Sequence, residues 1–232
     1  STSYASQLDA GAATDTVPNV MPDIEGKIAY DYQKKFHFEV AGIFRDFKVY
    51  NLAANQHNYT QGGGGSVNIN GEIAPGFRIL TNNYWSDGGG RYIFGLAPDV
   101  VVRGNGTLAD VHSGSTVDGI EFTHNNDLIY AYYGGVYIGR YVTIDPSNGK
   151  PVGYGFTGSA NSQNRIINEV TFGFNHTFWK NPKYGAVNFM GQYSWVSRNP
   201  WYVASGQPDS THTNIVYFDL RYTLPGAPPA VK

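Results

Sequence analysis

A membrane-spanning antiparallel β-barrel, with about nine to ten strands in this chain, is the fold class that the sequence predicts. The first observation is a two-residue period. Val67, Ile69, Gly71, Ile73, Pro75, Phe77 and Ile79 alternate with Asn68, Asn70, Glu72, Ala74, Gly76 and Arg78. The same alternation returns over Val187–Trp195 and Val216–Leu224. Successive strand side chains point to opposite faces, so these segments carry one apolar and one polar face. The second observation is composition: 18 Tyr, 13 Phe and 29 Gly among 232 residues, only 15% charged, with a mean hydropathy of -0.34. No apolar run reaches the roughly 18–20 residues of a membrane helix, so any spanning must be done by strands. The third is the sorting of connections, short turns alternating with long loops. Outer-membrane barrels place short turns on one side and long loops on the other.

Taken in order, residues 1–21 are small and polar and read as a loop or the remnant of a preceding strand. The first strand begins near Asp23, with Ile24, Gly26, Ile28, Tyr30 and Tyr32 outward and Glu25, Lys27, Ala29 and Asp31 inward, and Gln33-Lys34-Lys35 turns the chain. Phe36, Phe38, Val40, Gly42 and Phe44 then alternate with His37, Glu39, Ala41, Ile43 and Arg45; the pattern breaks near Asp46 and Phe47, where a bulge is expected. Residues 51–65, ending in four glycines, read as a long loop, and 82–90 as a Gly-rich turn. A strand is expected over 91–102, weakened by Pro98, followed by a hairpin turn at Arg103-Gly-Asn-Gly106. Further strands are expected over 112–123, 128–138, 165–178, 184–197 and 213–224, separated by long loops at 145–161 and 199–210. The barrel strands thus occupy 22–225, and 226–232 is a tail.

Charge narrows the function. A net charge of -2 and a pI near 6.3 give no basic footprint for nucleic acid. The absence of cysteine leaves no disulfide framework or thiolate metal site and is compatible with an oxidising periplasm. The six histidines do not fall at a helical zinc spacing, and no serine elbow or phosphate loop occurs. Ser113 and Ser115 beside His112 and His124 are the only hint of hydrolase chemistry. Asp145, Asn148 and Asp209 offer oxygens without the spacing of a calcium loop. No metal and no cofactor are expected.

Several segments resemble the porin-like outer-membrane proteins of Gram-negative bacteria, in particular the DcaP-like group and its acidobacterial relatives. They are Leu128-Ile-Tyr-Ala-Tyr-Tyr-Gly-Gly-Val-Tyr-Ile-Gly-Arg140, Asn161-Ser-Gln-Asn-Arg165 and Phe172-Gly-Phe-Asn-His-Thr-Phe-Trp-Lys-Asn-Pro182. Pro22-Asp-Ile24, Phe38-Glu-Val-Ala-Gly-Ile43 and Leu220-Arg-Tyr-Thr-Leu-Pro225 extend the likeness over most of 22–225. Family members are longer, so the resemblance implies the C-terminal part of a larger outer-membrane barrel that passes small hydrophilic solutes, and it admits a homotrimer. The chain departs from the pattern in running past Tyr222 and Leu224 into a Pro-rich end.

For a channel, the functional residues are those of the polar face. The candidates are Glu25, Lys27, His37, Glu39, Arg45, Asn68, Asn70, Glu72, Arg78, Arg165, Glu169, Arg198, Asp219 and Arg221. They would set a transverse field acting on dipolar or anionic solutes, or would pair across strands and brace a wet wall. Trp85, Trp179, Trp195 and Trp201, with Tyr184, Tyr193 and Tyr202, are expected as an interfacial girdle rather than a sugar-stacking track. The rival readings are a barrel that anchors its loops, favoured if Ile43, Tyr133 and Tyr137 fill the lumen, and an outer-membrane enzyme.

Overall fold

A computed structural model describes residues 2–3, 16–33, 35–51, 54–93 and 97–225. Nine strands form one antiparallel sheet: β1 (Ile24–Tyr32), β2 (Phe36–Asn51), β3 (Gln56–Ala74), β4 (Phe77–Asp87), β5 (His112–His124), β6 (Asp127–Ile138), β7 (Asn164–Asn181), β8 (Gly185–Pro200) and β9 (Thr211–Thr223). Each strand pairs with its neighbours in sequence, giving an uninterrupted up-and-down meander. Among the described residues the sheet does not close, because β1 and β9 each pair on one side only. The tail 226–232 and most of the segment 1–21 lie outside the described residues.

The long connections all lie at one end. The links between Tyr32 and Phe36, Ala74 and Phe77, His124 and Asp127, and Asn181 and Gly185 are short and lie at one end, with positive φ at Gln33, Gly76 and Asn125. At the other end lie the long segments 88–111, 139–163 and 201–210, together with the short link between Asn51 and Gln56. Two of these carry two-stranded ribbons: Val100–Val102 with Leu108–Asp110, and Tyr141–Ile144 with Pro151–Tyr154. The first ribbon turns through 103–106 as expected, with φ +76° at Gly106, a left-handed value that glycine adopts without steric cost.

Three local expectations are corrected. Residues 51–65 are not a long loop: β2 continues to Asn51, a short turn follows, and β3 carries Gly62–Gly65 inside the sheet. A Cβ on Gly62 would come within 2.7 Å of the Asp87 carbonyl, and one on Gly64 within 2.8 Å of Ser86 Cβ and the Trp85 carbonyl. The glycines there make room for close packing rather than for a bend. Residues 82–87 continue β4, and 91–102 is a 3-10 turn (Gly90–Tyr92) and a short ribbon strand instead of a full strand. Finally, β2 pairs with β3 in unbroken register from Phe36↔Gly71 to Asn51↔Gln56, so there is no bulge at Asp46 and Phe47. The pattern changes there because polarity changes faces: Arg45, Phe47 and Val49 become buried, while Asp46 and Lys48 join the other side.

Candidate functional site: the polar face and the loop folded onto it

Residues opposite each other across a ladder share a face, so the register sorts the whole sheet. One face carries Ile28, Val40, Val67, Ile79, Ile120, Ile129, Phe172, Phe174, Tyr193, Val216, Phe218 and Leu220. Much of it is open, with Ile28 78% and Leu220 70% exposed. The other face carries Glu25, Lys27, His37, Glu39, Asn68, Asn70, Glu72, Arg78, Glu121, Glu169, Gln192, Arg198, Asp219 and Arg221. The arrangement is inverted relative to a water-soluble sheet, which buries its apolar side.

The apolar band also drifts. From Val216 on β9 the register leads through Tyr193, Phe172, Ala131, Ile120, Ile79 and Gly71 to Phe36 on β2. Val216 is the last apolar residue of the band before Asn214, whereas on β2 the band runs on to Phe44 before Asp46. The boundary therefore moves about eight residues in seven strand steps. At about 3.4 Å rise per residue and about 4.8 Å between strands this is a slope of about 40°. Barrel strands tilt by about 35–45°.

One polar island interrupts the band. Asp118 faces outward on β5, yet its oxygens accept from Thr81 Oγ1 and, at 2.7 Å, from Thr116 Oγ1. Tyr133 and Tyr137 also lie on the apolar face, opposite Asp118 and Gly114, so they do not fill the polar side; Ile43 does face it.

At the long-loop end the polar face acquires a core. Phe47 and Val49 from β2 pack with Val100, Val102 and Leu108, so the ribbon of Val100–Val102 and Leu108–Asp110 folds back over the sheet. A second cluster joins Val101, Val111 and Ile138 to Tyr154, with Trp201 packed against it. Trp201 donates Nε1–H to the Ile138 carbonyl at 2.9 Å; it serves the loops rather than a girdle. Trp85, Tyr193 and Trp195 do stand on the apolar face.

Arg45 holds the returning loop. Its side chain is fully enclosed, with Nε 3.0 Å from Asp23 Oδ2 and Nη1 2.8 Å from Asp99 Oδ1. Nη1 also donates to the Gly88 carbonyl, and the guanidinium lies 4.6 Å from the Phe47 ring centroid. Asp99 in turn receives Arg91 Nε at 3.0 Å, and Asp23 receives the Tyr92 hydroxyl at 2.7 Å. Burial and the Asp23 carboxylate push the Tyr92 hydroxyl well above its ordinary value, so it stays protonated and donating. Beneath Tyr92 lies an open cavity of about 490 Å³ lined by Glu25, Lys27, Ile43, Ser66 and Tyr84.

Asp110, at the end of the ribbon, meets β3 less comfortably. Its Oδ2 lies 3.4 Å from Thr60 Oγ1, while the buried Oδ1 has no hydrogen-bond partner. Burial, reinforced by the charge of Asp87 and opposed by Thr60, Arg103 and Arg45, raises the carboxyl from 3.8 to about 6. The folded group thus binds its proton more tightly than the unfolded one, and the docked loop is favoured below about pH 4 and loses that stabilisation as pH rises through about 6. Protease resistance of 88–111 should be greater at pH 4.5 than at pH 7.5, and Asp110→Asn should abolish the difference; an unchanged difference in the variant would assign it to another group.

The sequence candidates are distributed as follows. Glu25, Lys27, Glu39, Asn68, Asn70, Glu72, Arg78, Glu169, Arg198, Asp219 and Arg221 share the polar face, with Lys27 paired to Glu39 at 2.8 Å and Arg221 to Asp219 at 2.8 Å. Arg45 is on that face but lines no open surface. Arg165 leaves the set: it sits at a register shift between Asn164 and Ile166, with its guanidinium 5.2 Å from the Trp201 ring centroid. Sequence reasoning missed Glu121, which the parity of β5 would have revealed, and Asp23, Asp99 and Tyr92, which meet Arg45 only through the loop's return.

Comparison with protein-family models, with curated proteins and with solved structures returns no match in any of the three. Geometry therefore carries the functional argument. Hydrolase chemistry finds no assembly at the expected place: His112 pairs with Asp87 at 2.9 Å on the apolar face, whereas Ser113 is buried on the opposite face, 3.1 Å from Ser86 Oγ. Among the described residues no three His, Asp or Glu groups are placed to hold a metal. Asp145 is occupied by its own turn, accepting from Ser147 N at 2.9 Å, Ser147 Oγ at 2.7 Å and Asn148 Nδ2 at 2.8 Å; the Ser147 bonds hold its carboxyl below the ordinary carboxylate range.

Proposed function

We propose that this chain forms part of the wall of a bacterial outer-membrane β-barrel channel through which small hydrophilic solutes diffuse passively. The observation that carries the reading is the exposed apolar band, drifting at about 40° across a sheet whose reverse face is polar. Lipid would face the band. Water and solutes would face Glu25, Lys27, Asn68, Asn70, Arg78 and Glu169. The loop 88–111, drawn over that face by Arg45, would narrow the route from the long-loop side. As in other barrels, pore width and wall charge then decide what passes.

A second reading, a barrel that anchors its loops for adhesion or support, draws on the packed ribbons and the two apolar clusters at the long-loop end. Planar-bilayer recording of the full-length protein separates the two. Stepwise openings are expected for the channel; a folded barrel that stays silent in the bilayer would overturn it in favour of the anchor.

A further inference from the structure

Resting on the channel reading, we propose that the polar face favours cations over anions. The argument is an asymmetry in how its charges are partnered. Three cations of the face are neutralised by carboxylates: Lys27 is paired with Glu39 at 2.8 Å, Arg221 with Asp219 at 2.8 Å, and Arg45 is enclosed between Asp23 and Asp99. Arg198 bonds the neutral Asn164 and the Asn161 carbonyl and keeps its charge. Arg78 bonds Asn70 at 3.3 Å and stands in register between Glu72 and Glu121.

The carboxylates are held differently. Glu121 accepts from the Tyr132 hydroxyl, Glu169 from Thr171 Oγ1 at 2.9 Å and Glu72 from the Gly76 amide at 3.0 Å, while Glu25 lines the open cavity beneath Tyr92. These donors are neutral. They orient each carboxylate and leave its charge uncancelled, whereas each ion pair nearly cancels the field of its cation beyond a few ångströms. Lys35, Lys180 and Lys183 lie at the short-turn rim, where they are exposed and water screens them. The four carboxylates Glu25, Glu72, Glu121 and Glu169 outnumber the two arginines held by neutral groups, Arg78 and Arg198, so a water-filled passage along this face sees a residual negative potential that concentrates counter-cations. The sequence alone left anionic solutes open; the partnering reverses that preference.

The test is the zero-current potential of the full-length protein in a planar bilayer under a tenfold KCl gradient. A K⁺ to Cl⁻ permeability ratio of about 2–5 is expected near 0.1 M, falling toward 1 near 1 M, where the Debye length is about 3 Å. Glu121→Gln with Glu169→Gln should lower the ratio at least about twofold through loss of wall charge, and Glu25→Gln should do so independently, should the double variant fail to fold. Clear openings with a ratio at or below 1, or a ratio unmoved by the variants, would overturn the cation preference and leave the channel standing. A silent membrane with demonstrably folded protein would overturn both.

Discussion

Arg45→Met should free residues 88–111 from the polar face, making them cleavable by added protease and, on the proposed channel reading, widening the passage. The substitution removes a cation whose partners remain buried: Asp99 is nearly inaccessible and Asp23 largely so. Deleting one member of such a pair costs about 3–5 kcal/mol: buried Asp23 loses its countercharge, and Asp99 keeps only Arg91. Lysine should not rescue the site, since Arg45 addresses Asp23 through Nε and Asp99 and the Gly88 carbonyl through Nη1, a planar fork that an ammonium cannot reproduce. Adding Asp99→Asn to Arg45→Met should recover part of the loss by removing one of the stranded charges. The measurements are limited proteolysis of the folded protein and single-channel conductance, which should rise and become noisier. A variant with wild-type protease resistance and conductance would show that the apolar contacts of Val100, Val102 and Leu108 suffice to hold the loop.

That network also marks where the sequence stopped being readable. Parity located the polar face well, because a strand repeats every two residues and the register transmits the pattern from strand to strand. It identified Glu25, Lys27, Glu39, Asn68, Asn70, Glu72, Arg78, Glu169, Asp219 and Arg221 on one side. It failed wherever a loop returned. Phe47 and Val49 looked like a lapse in alternation, yet they are apolar because residues 100–108 cover them on the side that elsewhere is wet. The run Gly62–Gly65 looked like a linker because local propensity disfavours glycine in strands; at Gly62 and Gly64 the reason lies in β4, more than twenty residues away, whose close approach leaves no room for a Cβ. Arg165 obeyed the alternation and still left the regular pattern of the polar face, because it sits at a register shift at Asn164/Ile166, with its guanidinium over Trp201. Periodicity reports a strand's two faces, while what covers either face is set by contacts distant in sequence.

Phe218→Arg should destabilise the protein in a lipid bilayer far more than Tyr217→Arg, although the two positions are adjacent on β9. Phe218 is 67% exposed and Tyr217 48% exposed, so in water neither substitution would remove much packing, and both would be nearly neutral. The faces differ: Phe218 lies opposite Gly191 on the apolar side and Tyr217 opposite Gln192 on the polar side. Near the middle of a bilayer an outward arginine costs about 2–4 kcal/mol, whereas a lumen position is solvated by water and tolerates the charge. Denaturant unfolding of both variants in phospholipid vesicles, with wild type as reference, reads the difference directly. A large loss at 218 and a small one at 217 would support the orientation that the drifting apolar band implies. Equal effects, or a larger loss at 217, would contradict it, and the exposed band would then have to be covered by protein rather than lipid. Ile28, 78% exposed on β1, extends the comparison to the other end of the sheet. Ile28→Arg and Ala29→Arg should reproduce the same contrast if the band is continuous around the wall, because the band at β1 lies about eight residues higher along the strands than at β9, as a tilt of about 40° requires.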